Sequence, residues 1–356
     1  MKIGLGLYRH MLDRDNFRFA RQAGATHIVA HWVDYWGTEK IPATDGKQNW
    51  GVTRQQGRLW TYEELRDLKK AVNAEGLELA AIENLDPSHW YDILLDGPLK
   101  KQQLEDVKTI IRRVGKAGIP ILGYNFSIAG VWGHVHGPFA RGGAESVGFL
   151  GQDGPEETPI PRGQVWNMTY DPDAPAGTLG TVTSEQLWQR VTDFLREVVP
   201  VAEEAGVRLA AHPDDPPMPS LRGTARLVYR PDLFQRLLDI YPSHSNALEF
   251  CQGTTAEMAG GDVYEAIDQY TRQGNIAYVH FRNVRGKVPK YHEVFLDEGD
   301  VDFVRAMRIY IKNGYDGVMI PDHTPQMTCA DPWHAGMAYA IGYMRGLVSV
   351  IEHEIF

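Results

Sequence analysis

The 356 residues carry 36 Lys and Arg against 46 Asp and Glu, a formal net charge of −10, with 43% hydrophobic and 23% charged residues. That balance is ordinary for a globular chain. It argues against a nucleic-acid or anionic-membrane surface without excluding a small anionic substrate, which a local Arg or His cluster can receive. No apolar run approaches the roughly 18–20 residues that span a bilayer. Met1–Leu7 enters a strand without a small-residue cleavage site, and Cys251 and Cys329 are too few for a disulfide framework, so a cytoplasmic chain with free thiols is expected.

In chain order, Lys2–Tyr8 reads as strand one and Arg14–Ala23 as a helix ended by Gly24. His27–Trp32 is strand two. Asp34–Leu59 has Gly, Pro, Trp and Asn without a period and reads as an insertion. Thr61 and Glu64 form a capping box for a helix ending at Gly76. Leu77–Ile82 is strand three, finishing in Glu83-Asn84. Leu104, Val107, Ile110, Ile111 and Val114 make a helical stripe stopped by Gly118, and Ile119–Phe126 is strand four. Residues 129–181, rich in Gly and Pro, are a second long insertion, expected to be a lid or a subunit contact.

Thr183 and Gln186 form another capping box, opening a helix that Pro200 should kink or divide and Gly206 ends. Val207–Ala211 is strand five, followed by His212-Pro213-Asp214-Asp215. After a helix at Pro231–Ile240, Asn246–Phe250 is strand six, followed by Cys251. Val263–Arg272 is a helix, and Ile276-Ala277-Tyr278-Val279-His280 is strand seven, which turns polar at His280, Arg282 and Asn283. Val301–Lys312 is a helix that Asp300 and Asp302 are placed to cap. Gly317–Ile320 is strand eight, followed by Asp322-His323, and Trp333–Ile351 closes the chain as a helix.

Eight near-continuous apolar strands alternating with eight helices predict an α/β chain folded as one (β/α)8 TIM barrel over 1–356. Its long insertions follow strands two and four, at about 33–60 and 129–181. Such a barrel gathers all strand C-terminal ends on one face, where strands five to eight deliver His212, Cys251, His280 and Asp322. Two imidazoles, a thiolate and a carboxylate make a cage suited to Zn, Fe(II) or Mn rather than Ca. Taken singly, each has a plainer explanation, since a buried Cys is commonly a small hydrophobe and a strand-end Asp a helix cap. Four on consecutive strands favour the cage. His323 is a candidate acid or base beside it, or a hydrogen-bond partner of a ligand. Arg282 suits bidentate binding of a substrate carboxylate, or an ion pair with Asp214 or Glu293. Asn283, Asp214, Glu83 and Asn125, also near strand ends, are candidate substrate contacts.

The series His212-Pro213-Asp214-Asp215-Pro216-Pro217, Phe250-Cys251-Gln252-Gly253-Thr254, His280-Phe281-Arg282-Asn283-Val284, His292-Glu293, Gly299-Asp300 and Pro321-Asp322-His323 resembles the mannonate dehydratase family of xylose isomerase-like barrels. Gln22-Ala23-Gly24 and Tyr124-Asn125-Phe126 also fit. The resemblance implies a divalent metal, Mn(II) first with Fe(II), Mg(II) or Zn(II) as alternatives, held by His212, Cys251, His280 and Asp322. It implies proton transfer by His323 and dehydration of D-mannonate to 2-keto-3-deoxy-D-gluconate, with a small sugar acid as partner, neither nucleic acid nor membrane, and a homo-oligomeric state. Two segments depart from the family. Where it has Asp-Trp-Thr-Arg, the chain reads Ser127-Ile128-Ala129-Gly130-Val131-Trp132-Gly133. Where it has Asn-Pro-Gly-Tyr with a catalytic tyrosine, the chain reads Ala330-Asp331-Pro332-Trp333-His334, with His334 the candidate substitute. An isomerase or epimerase on the same scaffold, or a binding protein with a structural metal, are the alternative readings.

Overall fold

The computed structural model describes residues 1–35, 50–53 and 58–355. Eight parallel strands close into a barrel: β1 Lys2–Leu7, β2 His27–His31, β3 Glu78–Glu83, β4 Ile121–Tyr124, β5 Arg208–Ala211, β6 Asn246–Cys251, β7 Ile276–His280 and β8 Val318–Ile320. Each strand lies beside its neighbours in sequence, and β1 closes on β8 with Lys2 opposite Val318. The helices α1 Arg14–Ala23, α2 Tyr62–Ala74, α3 Lys100–Lys116, α4 Ser184–Ala205, α5 Asp232–Asp239, α6 Val263–Arg272, α7 Phe303–Lys312 and α8 Pro332–Ile355 alternate with them. None of the described helices is long and apolar enough to cross a membrane.

The large core lies between strands and helices, while a smaller cluster of strand residues, among them Val29, Ala81, Ile121, Tyr278 and Ile320, forms a second core. Register fixes what stands at the mouth. Cys251 of β6 pairs with His280 of β7, and two residues earlier Glu249 pairs with Tyr278. Since side chains alternate along a strand, Cys251 and Glu249 share one face, as do His280 and Tyr278. Two polar layers are thereby stacked, one above the other, at this end of the barrel.

Both capping boxes form as the sequence predicts, at Thr61 with Glu64 and at Thr183 with Gln186. Removing the Thr183 hydroxyl orphans the Gln186 N–H, so Thr183→Ala is expected to lower stability by about 1 kcal/mol in denaturant titration. Pro200 does not divide its helix: α4 runs unbroken from Ser184 to Ala205. Val198 and Val199 before the proline and Val201 and Ala202 after it are all buried, and their packing outweighs the lost hydrogen bond. Asp302 caps α7 by accepting from Arg305 N–H, whereas Asp300 instead accepts from Gly286 N–H in a hairpin.

The insertion after β4 supplies a hairpin, His134–Ala140 with Ala144–Phe149. It pairs with a second hairpin that follows β7, Asn283–Lys287 with Lys290–Val294, giving one four-stranded antiparallel sheet. An isolated bridge from Glu145 to Gln326 ties this sheet to the segment after β8. Of the insertion after β2, residues 36–49 and 54–57 lie outside the described residues. Its strand Gly51–Val52 pairs with Met168–Thr169, so the two insertions meet.

Candidate metal centre

Three of the expected donors converge: one ligand atom from each of His212, Cys251 and His280 lies within 4.8 Å of the others. Asp322 joins them, with Oδ1 3.4 Å from His280 Nδ1 and Oδ2 4.0 Å from the Cys251 sulfur. Each ring is oriented from behind. His212 Nδ1 lies 2.6 Å from the Pro213 carbonyl, which can only accept, so this nitrogen donates; burial lowers the imidazole but Cys251 and Glu249 raise it to about 9, so an ion would displace a proton from Nε2. His280 Nε2 faces Glu83 at 3.3 Å and Glu249 at 3.1 Å, leaving Nδ1 towards Asp322. Nδ1 is buried, and its contact with Asp322 is too poorly aligned for a good hydrogen bond, an arrangement an ion between the two would satisfy. The Cys251 sulfur accepts from Thr254 N–H at 3.4 Å and Thr254 Oγ1 at 3.1 Å, which fixes it at the start of a short helix, Gln252–Glu257.

The electrostatics suit a cation. Burial raises the Cys251 thiol, but Arg282 and the imidazoles of His212 and His280 overcome it and bring the thiol down to about 6. Burial also raises Asp322, yet His323 and His280 hold its carboxyl well below the usual range. Burial would raise Glu83, and His31 and His280 bring it down to about 2, whereas burial and then repulsion from Glu83 push Glu249 up to about 8. The donor set and the depressed thiol together fit a borderline divalent ion.

Arg282 is not open to a substrate. Its guanidinium is 2% exposed and lies among carboxylates, 2.8 Å from Asp215, 2.9 Å from Glu257, 2.8 Å from Glu293 and 3.3 Å from Asp322. These contacts set it among carboxylates around the candidate centre, where the sequence suggested a catalytic group. Asp214 is not its partner, because Asp214 accepts from the N–H groups of Leu227 and Val228 and pairs with Arg226 at 2.9 Å. Asp215 takes that place, and also accepts from the Tyr291 hydroxyl at 2.6 Å with His134 3.3 Å away, which links the antiparallel sheet to the centre.

His323 stands beside Asp322, with Nδ1 2.9 Å from both Glu293 oxygens. Burial would lower this imidazole, but Asp322 and Glu293 raise it to about 9, and its side chain keeps 37% exposure. Asn283 does not reach the centre: its amide donates to the Leu296 and Val301 carbonyls and accepts from Val284 and Val301 N–H. Asn283→Ala is therefore expected to cost about 3 kcal/mol through buried groups left unpaired, with KM of the remaining folded enzyme unchanged. Asn125 follows β4, and its buried amide oxygen has no hydrogen-bond partner among the described residues. His334 packs on Phe19 and bonds Asn16 at 2.9 Å, contacts that hold it against α1. Sequence reasoning missed Glu249 and Glu257, both wholly buried. Glu249 could have been found, as the one charged residue in Asn246-Ala247-Leu248-Glu249-Phe250-Cys251.

Nitrogen, sulfur and oxygen donors at consecutive strand ends of a closed parallel barrel are the arrangement of a (β/α)8-barrel enzyme with a candidate metal centre. The crystal structure of a mannonate dehydratase from Streptococcus suis serotype 2 superposes with a TM-score of 0.79 at 26% identity, covering 100% of this chain and 94% of that one. L-ribulose 3-epimerase, at 14% identity and a TM-score of 0.57, covers 99% and 96% and shares the fold. The mannonate dehydratase of Streptococcus pneumoniae (strain 70585) is 30% identical over 278 residues, 75% of each chain. Mannonate dehydratase 2 of Halalkalibacterium halodurans is 30% identical over 277 residues, 75% of this chain and 79% of that protein. A profile of D-mannonate dehydratase (UxuA) matches residues 8–142 and 177–356. The chain belongs to the D-mannonate dehydratase family, a family of hydro-lyases. The stretch without a match, 143–176, lies in the insertion after β4.

Proposed function

We propose that this chain is a metal-dependent dehydratase of a sugar acid, converting D-mannonate to 2-keto-3-deoxy-D-gluconate and water. His212, Cys251, His280 and Asp322 would hold the ion, Mn(II) first among Mn(II), Fe(II), Mg(II) and Zn(II). The observation that carries the reading is the convergence of these donors, with a buried His280 Nδ1 turned towards Asp322, in a chain of this family. A bound divalent ion supplies Lewis acidity towards the substrate carboxylate and the hydroxyl beside it.

The protein's own groups do the rest. Glu293 anchors His323 Nδ1, and Nε2, 3.5 Å from Asp322 Oδ1, is the nitrogen on the side of the centre that would exchange a proton with the substrate. Arg282 steadies Glu293 and Asp322 from below. Asn125, with an unbonded amide oxygen, is the substrate contact retained from the sequence reading. The antiparallel sheet, tied to Asp215 by Tyr291 and His134, acts as a lid that excludes water. A cytoplasmic homo-oligomer belongs to the same reading and is checked by gel filtration.

The test is incubation of the Mn(II)-loaded chain with D-mannonate, followed by a colour assay for 2-keto-3-deoxy acids. Product formation supports the reading, and its absence with metal bound removes D-mannonate as substrate. One departure favours a second reading. The family's tyrosine is missing from 330–334, and His334 is engaged by α1. An isomerase or epimerase would exchange deuterium next to the carboxylate without releasing water.

A further inference from the structure

We propose a second divalent-cation site in the layer below the first, formed by Glu83, Glu249 and Nε2 of His280, with the His280 ring bridging the two ions. The idea goes beyond the proposed function and shares only His280 with it.

One ligand atom from each of the three residues lies within 4.8 Å of the others. Nε2 is 3.3 Å from Glu83 Oε2 and 3.1 Å from Glu249 Oε1. Two donors at right angles, each about 2.1 Å from one ion, stand about 3 Å apart, so these separations already match neighbouring ligands of a single ion. The second observation is Glu249 itself. It is wholly buried, and among the described residues its oxygens meet the His280 imidazole, 3.1 Å from Oε1, and the neighbouring Tyr278 hydroxyl, neither in good hydrogen-bond geometry. A carboxylate left so in a barrel interior is costly unless a cation or a proton meets it.

The chain also leaves room. A Cβ at Gly123 would stand 2.6 Å from Glu249 Oε2 and 2.8 Å from the Tyr278 hydroxyl, so glycine on β4 is what admits the carboxylate. The opposite ring nitrogen, Nδ1, faces Asp322 at 3.4 Å in the upper layer, so the imidazole presents one nitrogen to each site. With both ions bound, the Nδ1 and Nε2 protons would both have gone to solvent, and the ring, as an imidazolate, would offer one lone pair to each ion. Two carboxylates and an imidazole suit Mn(II) or Zn(II). The competing occupant is a proton held between the carboxylates.

The experiment counts ions. The metal-free full chain is loaded with Mn(II) alone and desalted, and Mn per chain is measured by plasma mass spectrometry, with frozen-solution EPR reading coupling between ions. The expected counts are two in the wild type and one in each of Glu249→Gln, Glu83→Gln and His212→Ala. A wild-type count of one that survives Glu249→Gln and disappears in His212→Ala overturns the lower site and leaves the upper one standing. A count of one that disappears in Glu249→Gln and survives in His212→Ala keeps the lower site and removes the upper. No bound ion removes both. Glutamine preserves side-chain shape, and a melting curve checks each variant. Should Glu249→Gln not fold, Glu83→Gln makes the same assignment.

Discussion

Arg282→Met is expected to melt far below the wild type, and Arg282→Lys to do nearly as badly. The guanidinium is the shared counter-charge of Asp215, Glu257 and Glu293, all of them buried. Removing one partner of a buried pair costs about 3–5 kcal/mol, and total stability is only about 5–15 kcal/mol. Here several carboxylates lose the same partner, so the loss approaches the whole. Burial would lower Arg282, but Glu293, Cys251, Glu257 and Asp215 raise it well above its ordinary value, in keeping with that role. Lysine fails for a geometric reason. Nη1 faces Glu293 while Nη2 faces Asp215, Glu257 and Thr254, and one ammonium cannot stand in both places. Thermal melts with and without Mn(II) check this. A substrate clamp would behave in the opposite way, with Arg282→Lys keeping its melting temperature and raising KM.

The contrast shows which parts of the site were open to sequence reasoning. His212, Cys251, His280 and Asp322 were legible because a parallel barrel brings consecutive strand ends together, and the pairing of Cys251 with His280 follows from that topology alone. What strand-end position does not supply is the direction of side chains beyond the strand. Asp214 and Asp215 are adjacent and alike, yet Asp214 turns to Arg226 and only Asp215 meets Arg282. Asn283 directly follows Arg282, but it begins a hairpin and bonds that hairpin's backbone. The antiparallel sheet was hidden for another reason. Its central pairing joins Phe149 to Tyr291, residues from two separate excursions, and no local pattern encodes such a contact. Glu249 is the reverse case: a charge in the middle of a buried strand is visible in the sequence, but strand-end position, which marks the other donors, does not mark it.

The ligand and proton-transfer roles separate cleanly in one pair of variants. His323→Asn is expected to keep its metal and its fold and to lose about 10²–10⁴-fold in kcat. The asparagine amide sits near the former Nδ1 and can still donate to Glu293, which holds that side chain 2.9 Å away. It has nothing at the former Nε2, where the proton would pass. The ring is partly exposed, and asparagine keeps the hydrogen bond to Glu293 while losing the charge that faces Glu293 and Asp322, so a modest loss of stability accompanies the retained fold. Cys251→Ser should behave differently. The serine hydroxyl is about as small, but it does not ionise near neutral pH as a thiol brought to about 6 does, and it is a poorer donor for a borderline ion. Metal content should fall with the fold retained, and activity should fall in proportion to metal. Equal metal loss in His323→Asn and Cys251→Ser would place His323 among the ligands, and the assignment of its Nε2 to proton transfer would have to be given up.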